Sequence, residues 1–487
     1  MLIRNAKISD GDGSLVDLRL DNGEIASIIT TGSFTTEADQ IDAEGRWVSP
    51  GLWDNHVHAS QWALSARRLD VSAAESASRA GELVANALAA GAVVAAGQPF
   101  IGSGFRDGLW PDAPTLEVLD AAGAGVPVVL ISGDLHAAWL NSAALELYGH
   151  RGHETGLLRE VEAFEVARRI SSVPDDLLDS WLAEAGRAAA ARGVVGIVDL
   201  EMDWNLDSWR RRMAAGFDSV RVEFGIYPQH LDRALELGLH TGQSIAPLLG
   251  VGRFKVITDG SLNTRTAYCY DEYPGLEGRE GSRGLLTVPS AELLPRMRAA
   301  SRAGLESSVH AIGDHATSLA LDAFEQVGVG GRIEHAQLVA DADLARFAAL
   351  GVTASVQPDH AMDDRDVAER YWAGRTGQAF PLRSLLDAGA TLAFGSDAPV
   401  SALDPWATMA AAVGRSRGDR EPWHPEQQIS AREALAASTR GSVAVGQPAD
   451  LILTDSDPSS LTAPQLRDVT VWATLMAGRL THLARVE

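Results

Sequence analysis

Apolar positions along this 487-residue chain change their spacing in blocks. The first fifty residues carry the short runs LIRNAKI, VDLRL and ASIITTG, split by SDGDGS and DNG. Those separators are hairpin-type turn signals, and no helical period accompanies them. The C-terminal end has the same texture in ADLILTD, VTVWATLMAG and RLTHL. Two β-rich ends around a different middle predict one small β-sandwich built from residues 1–50 and 441–487.

The middle alternates between buried-looking short runs and helical stretches rich in Ala, Leu and Arg. Strands are expected at Gly51–His58, Val194–Leu200, Val220–Tyr227, Phe254–Thr258, Ser307–His310, Arg332–His335, Thr353–Val356 and Leu392–Ser396. Helices are expected between them at Asp176–Arg192, Ala291–Ala303, Ala342–Leu350 and Pro381–Ala388. Alternation of this length predicts an α/β fold with βα units and a parallel sheet. Eight strands are what a (β/α)8 barrel requires, here over residues 51–440. Residues 59–173, between the first two strands, hold a strand of their own (VPVVLIS) and read as an inserted substrate-side subdomain. Within them, Leu83–Phe105 lacks charge but is broken at Gly91, Gly97 and Pro99. That pattern predicts a helix followed by a buried strand rather than a membrane span.

Composition narrows the picture. A 46% hydrophobic content is ample for a core, and a net charge of −24 excludes a generic nucleic-acid binder. It also disfavours attraction to anionic membranes. The lone Cys269 cannot close an intrachain disulfide, and MLIRNAKISD has no apolar signal core. A cytoplasmic protein is expected. Of the 41 basic residues only Lys7 and Lys255 are lysines. Lys7 lies beside polar turns and reads as a surface residue.

Candidate chemistry gathers at the strand ends. His56 and His58 are spaced i, i+2, so on a strand they share a face. Alone the pair says little, since chance gives roughly 0.35 such pairs in a chain with this histidine content. His310 ends SSVHAIGD, His335 ends RIEHAQ and Asp397 ends LAFGSDAPV. Imidazoles and carboxylates at several strand ends are the donors that zinc and similar ions take. Lys255 sits inside the otherwise apolar run GRFKVITDG. Burying an ammonium is costly unless it is paired or neutralised. A pair with Asp259 is one solution. Arginine would serve there equally well, however, and the chain uses it nearly everywhere else. A retained lysine points to chemistry that needs a deprotonatable amine, such as capture of CO2 as a carbamate able to bridge two metal ions.

The order HVH, buried Lys, two single His, then Asp resembles the amidohydrolase superfamily. GLWDNHVH, GDLHAAWLNSAAL, TGLLRE, KVITDGSLNTRTA, HAIGD, RIEHAQ, SVQPDH and FGSDAPV resemble one branch of it, amidohydrolase family 3, which includes N-substituted formamide deformylases. The resemblance spans residues 51 to 400, and GQPADLILTD near the C-terminus also fits. It implies a (β/α)8 barrel with a β-sandwich from both termini. His56, His58 and Asp397 would hold one divalent ion, His310 and His335 a second, and a carbamate on Lys255 would bridge them. The implied ion is Zn2+, one or two per chain. The implied reaction is attack of a metal-activated hydroxide on an amide-type carbonyl, with Asp397 carrying the proton to the leaving nitrogen.

A small amide, N-substituted formamide or cyclic amide is the substrate expected, with no nucleic-acid or membrane partner and with room for a homo-oligomer. Substrate contacts are expected from His136, His360, Asp259, Arg265 and Trp53. Trp53 and Asn55 depart from the branch's pattern, and the segment after HVH is short. Ester or lactone hydrolysis, or decarboxylation, would use the same donors. A non-catalytic ligand-binding homologue has no chemical need for Lys255.

Overall fold

The computed structural model of the chain describes residues 1–32, 39–92, 94, 98–171 and 173–484. Eight parallel strands follow one another in chain order round one sheet: Leu52–Val57, Val194–Asp199, Arg221–Ile226, Leu249–Ile257, Ser307–Ala311, Gly331–His335, Val352–Val356 and Leu392–Phe394. They are called here the first to eighth barrel strands. Most are buried along their length on both faces, as expected where helices cover a parallel sheet. A parallel bridge between Val57 and Ala398 nearly closes the ring. Helices such as Asp175–Ala191, Ser290–Arg302, Asp314–Val327 and Asp341–Leu350 return the chain between strands. The first, for example, buries Leu178, Leu182, Ala189 and Ala190.

Two strands differ from expectation by more than one residue at an end. The fourth starts at Leu249 rather than Phe254, because a short strand, Ser244–Ala246, pairs with its first residues. The eighth stops at Phe394 rather than Ser396. There the Ser396 N–H turns from the strand ladder to the buried Asp54 carboxylate at 2.9 Å.

Strands from both chain ends share one sheet. Its order is Arg479–Leu483, Val471–Met476, Leu451–Thr454, Trp47–Pro50, Leu2–Ile8, Leu15–Asp21, Glu24–Thr30. Leu2–Ile8 bulges between Ile3 and Ala6; its first half also pairs with Gln40–Asp42 and its second with Trp47–Pro50. Trp47–Pro50 leads through Gly51 directly into the first barrel strand, so this sheet anchors the start of the barrel.

Between the first two barrel strands lies a separate five-stranded sheet, in the order Leu157–Arg159, Ala137–Leu140, Val128–Ser132, Phe100–Phe105, Leu69–Asp70. The uncharged stretch forms the second half of a helix, Ala77–Ala89, and the strand Phe100–Phe105; Gly97 lies outside the described residues. No helix among the described residues is long and apolar enough to cross a membrane.

The barrel interior is polar and charged at its lower end. The Trp53 ring lies so close to Gly196 that a Cβ there would come within 2.5 Å of it. The Arg440 guanidinium lies over the same ring, 3.5 Å from its centroid. Arg440 also pairs with Glu223 at 2.5 Å and shares the Asn55 Oδ1 acceptor with Arg332. Trp53 is thus clamped between a glycine and a cation. Gly196→Ala should lower stability by about 1–3 kcal/mol through overpacking against this ring. Urea denaturation checks this, and an unchanged midpoint would show that Trp53 can shift freely.

Candidate metal centre

The first barrel strand ends at His56 and His58, and the chain just after the eighth supplies Asp397. Three interactions lock these ends together. Asp397 N–H donates to the His56 carbonyl at 2.8 Å, and His58 N–H donates to the Ala398 carbonyl at 2.9 Å. Asp54 Oδ1 accepts from the backbones of both His56, at 3.1 Å, and Ser396, at 2.9 Å. Asp397 and His335 both take left-handed backbone angles, φ 58° and 76°. L-residues adopt that region at a cost of roughly 1–2 kcal/mol, and such strain gathers at functional sites.

The side chains converge as a result. His56 Nε2 and His58 Nε2 lie 3.3 and 3.2 Å from Asp397 Oδ1. Asp397 Oδ1 is buried and accepts no hydrogen bond. His360 Nε2 lies 4.0 Å from the other oxygen, Asp397 Oδ2. The His310 and His335 rings meet edge to face with centroids 4.4 Å apart, and those of His56 and His335 are 5.0 Å apart. Among the described residues, two clusters have the spacing to hold a cation: His56, His58 and Asp397, and His335, His360 and Asp397. His360, expected as a substrate contact, thus sits where it could be a ligand.

The electrostatics suit a cation. Burial holds the His56, His310 and His335 imidazoles below their ordinary value, the last two far below it. Their ring nitrogens are therefore available as lone-pair donors. Burial alone would raise the Asp397 carboxyl, but the surrounding imidazoles, His56 foremost, keep it well below the carboxylate range. His58 runs the other way, raised by Asp397 although burial opposes it; imidazoles beside a fixed carboxylate are nonetheless the donor set of a divalent metal site.

Lys255 is 1% exposed on the fourth strand, and its Nζ has no hydrogen-bond partner. Burial pushes its ammonium down to about 8, against the pull of the Glu334 and Asp397 carboxylates. Neutral amine is thus accessible near physiological pH.

Supporting groups also emerge that the sequence reading did not single out. Glu334 Oε2 holds His56 Nδ1 at 2.9 Å, and its other oxygen accepts from Ser308 Oγ at 2.5 Å. Gln357 Oε1 lies 2.8 Å from His335 Nδ1. A carboxylate or carbonyl on Nδ1 fixes the tautomer that leaves Nε2 free to bind a metal. The available signal was Glu334 itself, a carboxylate inside a run otherwise fit for a buried strand.

The remaining sequence candidates divide. His136 and His360 line a cavity of about 580 Å3 together with His56, His58, Lys255 and Asp397. Asp259, Arg265 and Trp53 are not among its lining residues. Asp259 is wholly buried and accepts the N–H groups of Tyr268, Ile312 and Gly313, with His310 Nε2 3.4 Å away. It shapes the loop beneath His310. Arg265 stacks its guanidinium 5.4 Å from the Tyr371 ring centroid.

Comparisons with known proteins agree with this arrangement. A family model described as "Amidohydrolase family" matches residues 39–482. LONG AFTER FAR-RED 3 of Arabidopsis thaliana is 29% identical, over 93% of this chain and 86% of its own. The N-substituted formamide deformylase of Arthrobacter pascens is 25% identical, over 98% of this chain and 97% of its own. A crystal structure of an uncharacterized metal-dependent hydrolase from Pyrococcus horikoshii is 26% identical, with a TM-score of 0.76 over 95% of this chain and 99% of that one. With a match across nearly its whole length and a barrel carrying these donors, the chain belongs to the amidohydrolase family.

Proposed function

We propose that this protein is a metal-dependent hydrolase that cleaves the C–N bond of a small amide, N-substituted formamide or cyclic amide. The observation that carries the reading is the convergence of His56 Nε2 and His58 Nε2 on one unpartnered Asp397 oxygen at the C-terminal mouth of the barrel. The likeness to an N-substituted formamide deformylase over nearly the whole of both chains supports the amide class.

His56, His58 and Asp397 would hold one divalent ion, Zn2+ being suited to this donor set. His310 and His335 would hold a second, with His360 within reach of the same place. Lys255 would join them after its neutral amine adds to CO2. The N–C bond forms, one N–H proton leaves to solvent, and the carbamate anion that results can bridge. A divalent metal ion held there would lower the pKa of water and polarise a carbonyl.

The chain's own groups do the rest. Asp397 stays ionised until it receives a proton from the attacking water, and it passes that proton to the leaving nitrogen as the C–N bond breaks. Glu334 holds His56 in one tautomer, and Gln357 does the same for His335.

Activity on a panel of amides, formamides and esters, with elemental analysis of the active protein, tests the reading. Amine release with about one or two divalent ions per chain is expected, and active protein free of divalent metal would refute it. Lys255→Ala should lose activity and recover part of it with short carboxylic acids; full activity in that variant dismisses the carbamate. Asp397→Asn should fold normally and lose about a hundredfold or more in kcat, and unchanged turnover removes its proton-carrying role. Glu334→Gln should weaken metal binding about tenfold in a chelator competition, with wild-type affinity counting against the tautomer role.

A further inference from the structure

The reaction cavity is lined differently on its two sides. On the side of the inserted segment stand His136, whose ring lies 5.9 Å from that of His310, and Arg106, which pairs with Asp363 at 3.1 Å. Beyond the second barrel strand, Val194–Asp199, the wall is formed by Glu201 together with Gln61, Met202 and Tyr227. Leu200 N–H donates to the Val57 carbonyl at 2.7 Å, so Glu201 stands beside His58. The Tyr227 hydroxyl donates to the Leu200 carbonyl, also at 2.7 Å, and fixes the same corner.

Glu201 is oriented but not neutralised. Its Oε2 accepts the Gln61 N–H at 3.1 Å. Its Oε1 accepts from Gln61 Nε2 at 3.1 Å and from the Met202 N–H at 3.2 Å. All three donors are uncharged. Among the described residues no cationic side chain comes within ion-pair distance of it. Arg68 acts on it only from farther off, and the Arg68 Nη2 donates instead to Ser171 Oγ at 3.2 Å. Nor is a carboxylate at Glu201 needed to cap the short helix Ala59–Ser65. Asp199 Oδ1 already accepts the Ala59 N–H at 3.1 Å.

The cavity as a whole leans the same way. Seven carboxylates line it against four Arg or Lys side chains. Two of those four are engaged, Arg106 by Asp363 and Arg212 by Asp179, at 3.1 and 2.8 Å. A neutral group pressed on Glu201 strips its hydration and gives nothing back, and an anion is repelled. An ammonium gains a charge-assisted hydrogen bond. Phe164, Val173, Leu178 and Met202 line the same cavity and suit the methylenes of an alkyl stem. At about 580 Å3 the space holds far more than a bare formamide group.

We propose that Glu201 receives an ammonium group of the substrate, so that the preferred substrate is a mono-N-acylated diamine. This rests on the amide-hydrolase reading above and narrows its substrate class. Water adds across the C–N bond, and the carboxylic acid and the free diamine leave. Glu201 acts on binding and not on the reacting atoms, so its effect falls on KM.

The test measures kcat and KM of the full-length, metal-replete protein on three formamides of equal length: a mono-N-formyl diaminoalkane, the neutral N-alkylformamide and the ω-formamido carboxylate. Wild type should favour the cationic substrate over the neutral one about ten- to a hundredfold in kcat/KM, chiefly through KM, and should use the anionic one least. In Glu201→Gln the cationic-to-neutral ratio should fall about tenfold. A wild type that uses the neutral or anionic formamide as well as the cationic one overturns the proposal. So does an unchanged ratio in Glu201→Gln, which would leave Glu201 as a helix cap. Should that variant fold poorly, calorimetry on wild type decides. A diaminoalkane should bind about tenfold more tightly than the monoamine of the same length, and equal affinity overturns the proposal. If wild type hydrolyses no amide yet binds the diamine more tightly, the C–N reading falls and the ammonium site stands. If it hydrolyses neutral amides best, the C–N reading stands and the ammonium site falls.

Discussion

The junction of the first and eighth barrel strands governs everything above it. Asp54 and Ser396 lie 342 positions apart in the chain, yet the Asp54 carboxylate accepts the backbone N–H groups of both His56 and Ser396. That carboxylate is buried, and burial pushes it up to about 7 despite three favourable hydrogen bonds. It is retained because it satisfies two buried N–H groups at a point where the strand ladder stops. His56 and Asp397 exchange backbone and side-chain proximity across the same junction. Without closure the histidine pair and the aspartate would sit on opposite edges of an open sheet.

Above and below that junction, the barrel interior is a stack of compensated charges. At the lower end Arg440, Arg332, Glu223 and Asn55 share hydrogen bonds around Trp53. In the middle, Glu334 couples His56 and Ser308, with Lys255 and Arg332 holding its carboxyl far below the ordinary range despite burial. Buried charges are tolerated only when paired and hydrogen-bonded. Lys255 has a single side-chain nitrogen, which stays unpartnered, and it faces the cavity. Its environment therefore works against the ammonium and towards the amine.

The strands and most helices were legible because their signals are local. Buried parallel strands read as apolar runs, and the helix expected at Ala291–Ala303 forms at Ser290–Arg302. Errors fell at element ends, where long-range partners decide. The eighth strand shortens for Asp54, and the fourth lengthens for Ser244–Ala246. Site residues split along the same line. His56, His58, Lys255, His310, His335 and Asp397 stand at or near strand ends in short apolar runs, so their types and positions were visible. Asp259, Arg265 and Trp53 lie near the same motifs, but their partners are a loop backbone, a tyrosine ring and an arginine from distant segments.

The sequence by itself determined that this is an α/β chain of alternating strands and helices, with one buried lysine and a set of imidazole and carboxylate donors at strand ends. Periodicity and residue chemistry are properties of the chain alone. Tertiary structure decided which donors meet. Barrel closure brought Asp397 to His56 and His58, the sixth strand carried Glu334 beneath His56, and the inserted segment turned His136 towards His310. Such meetings depend on register, twist and closure, which follow from how distant segments pack and leave no mark in the spacing of residues along the chain.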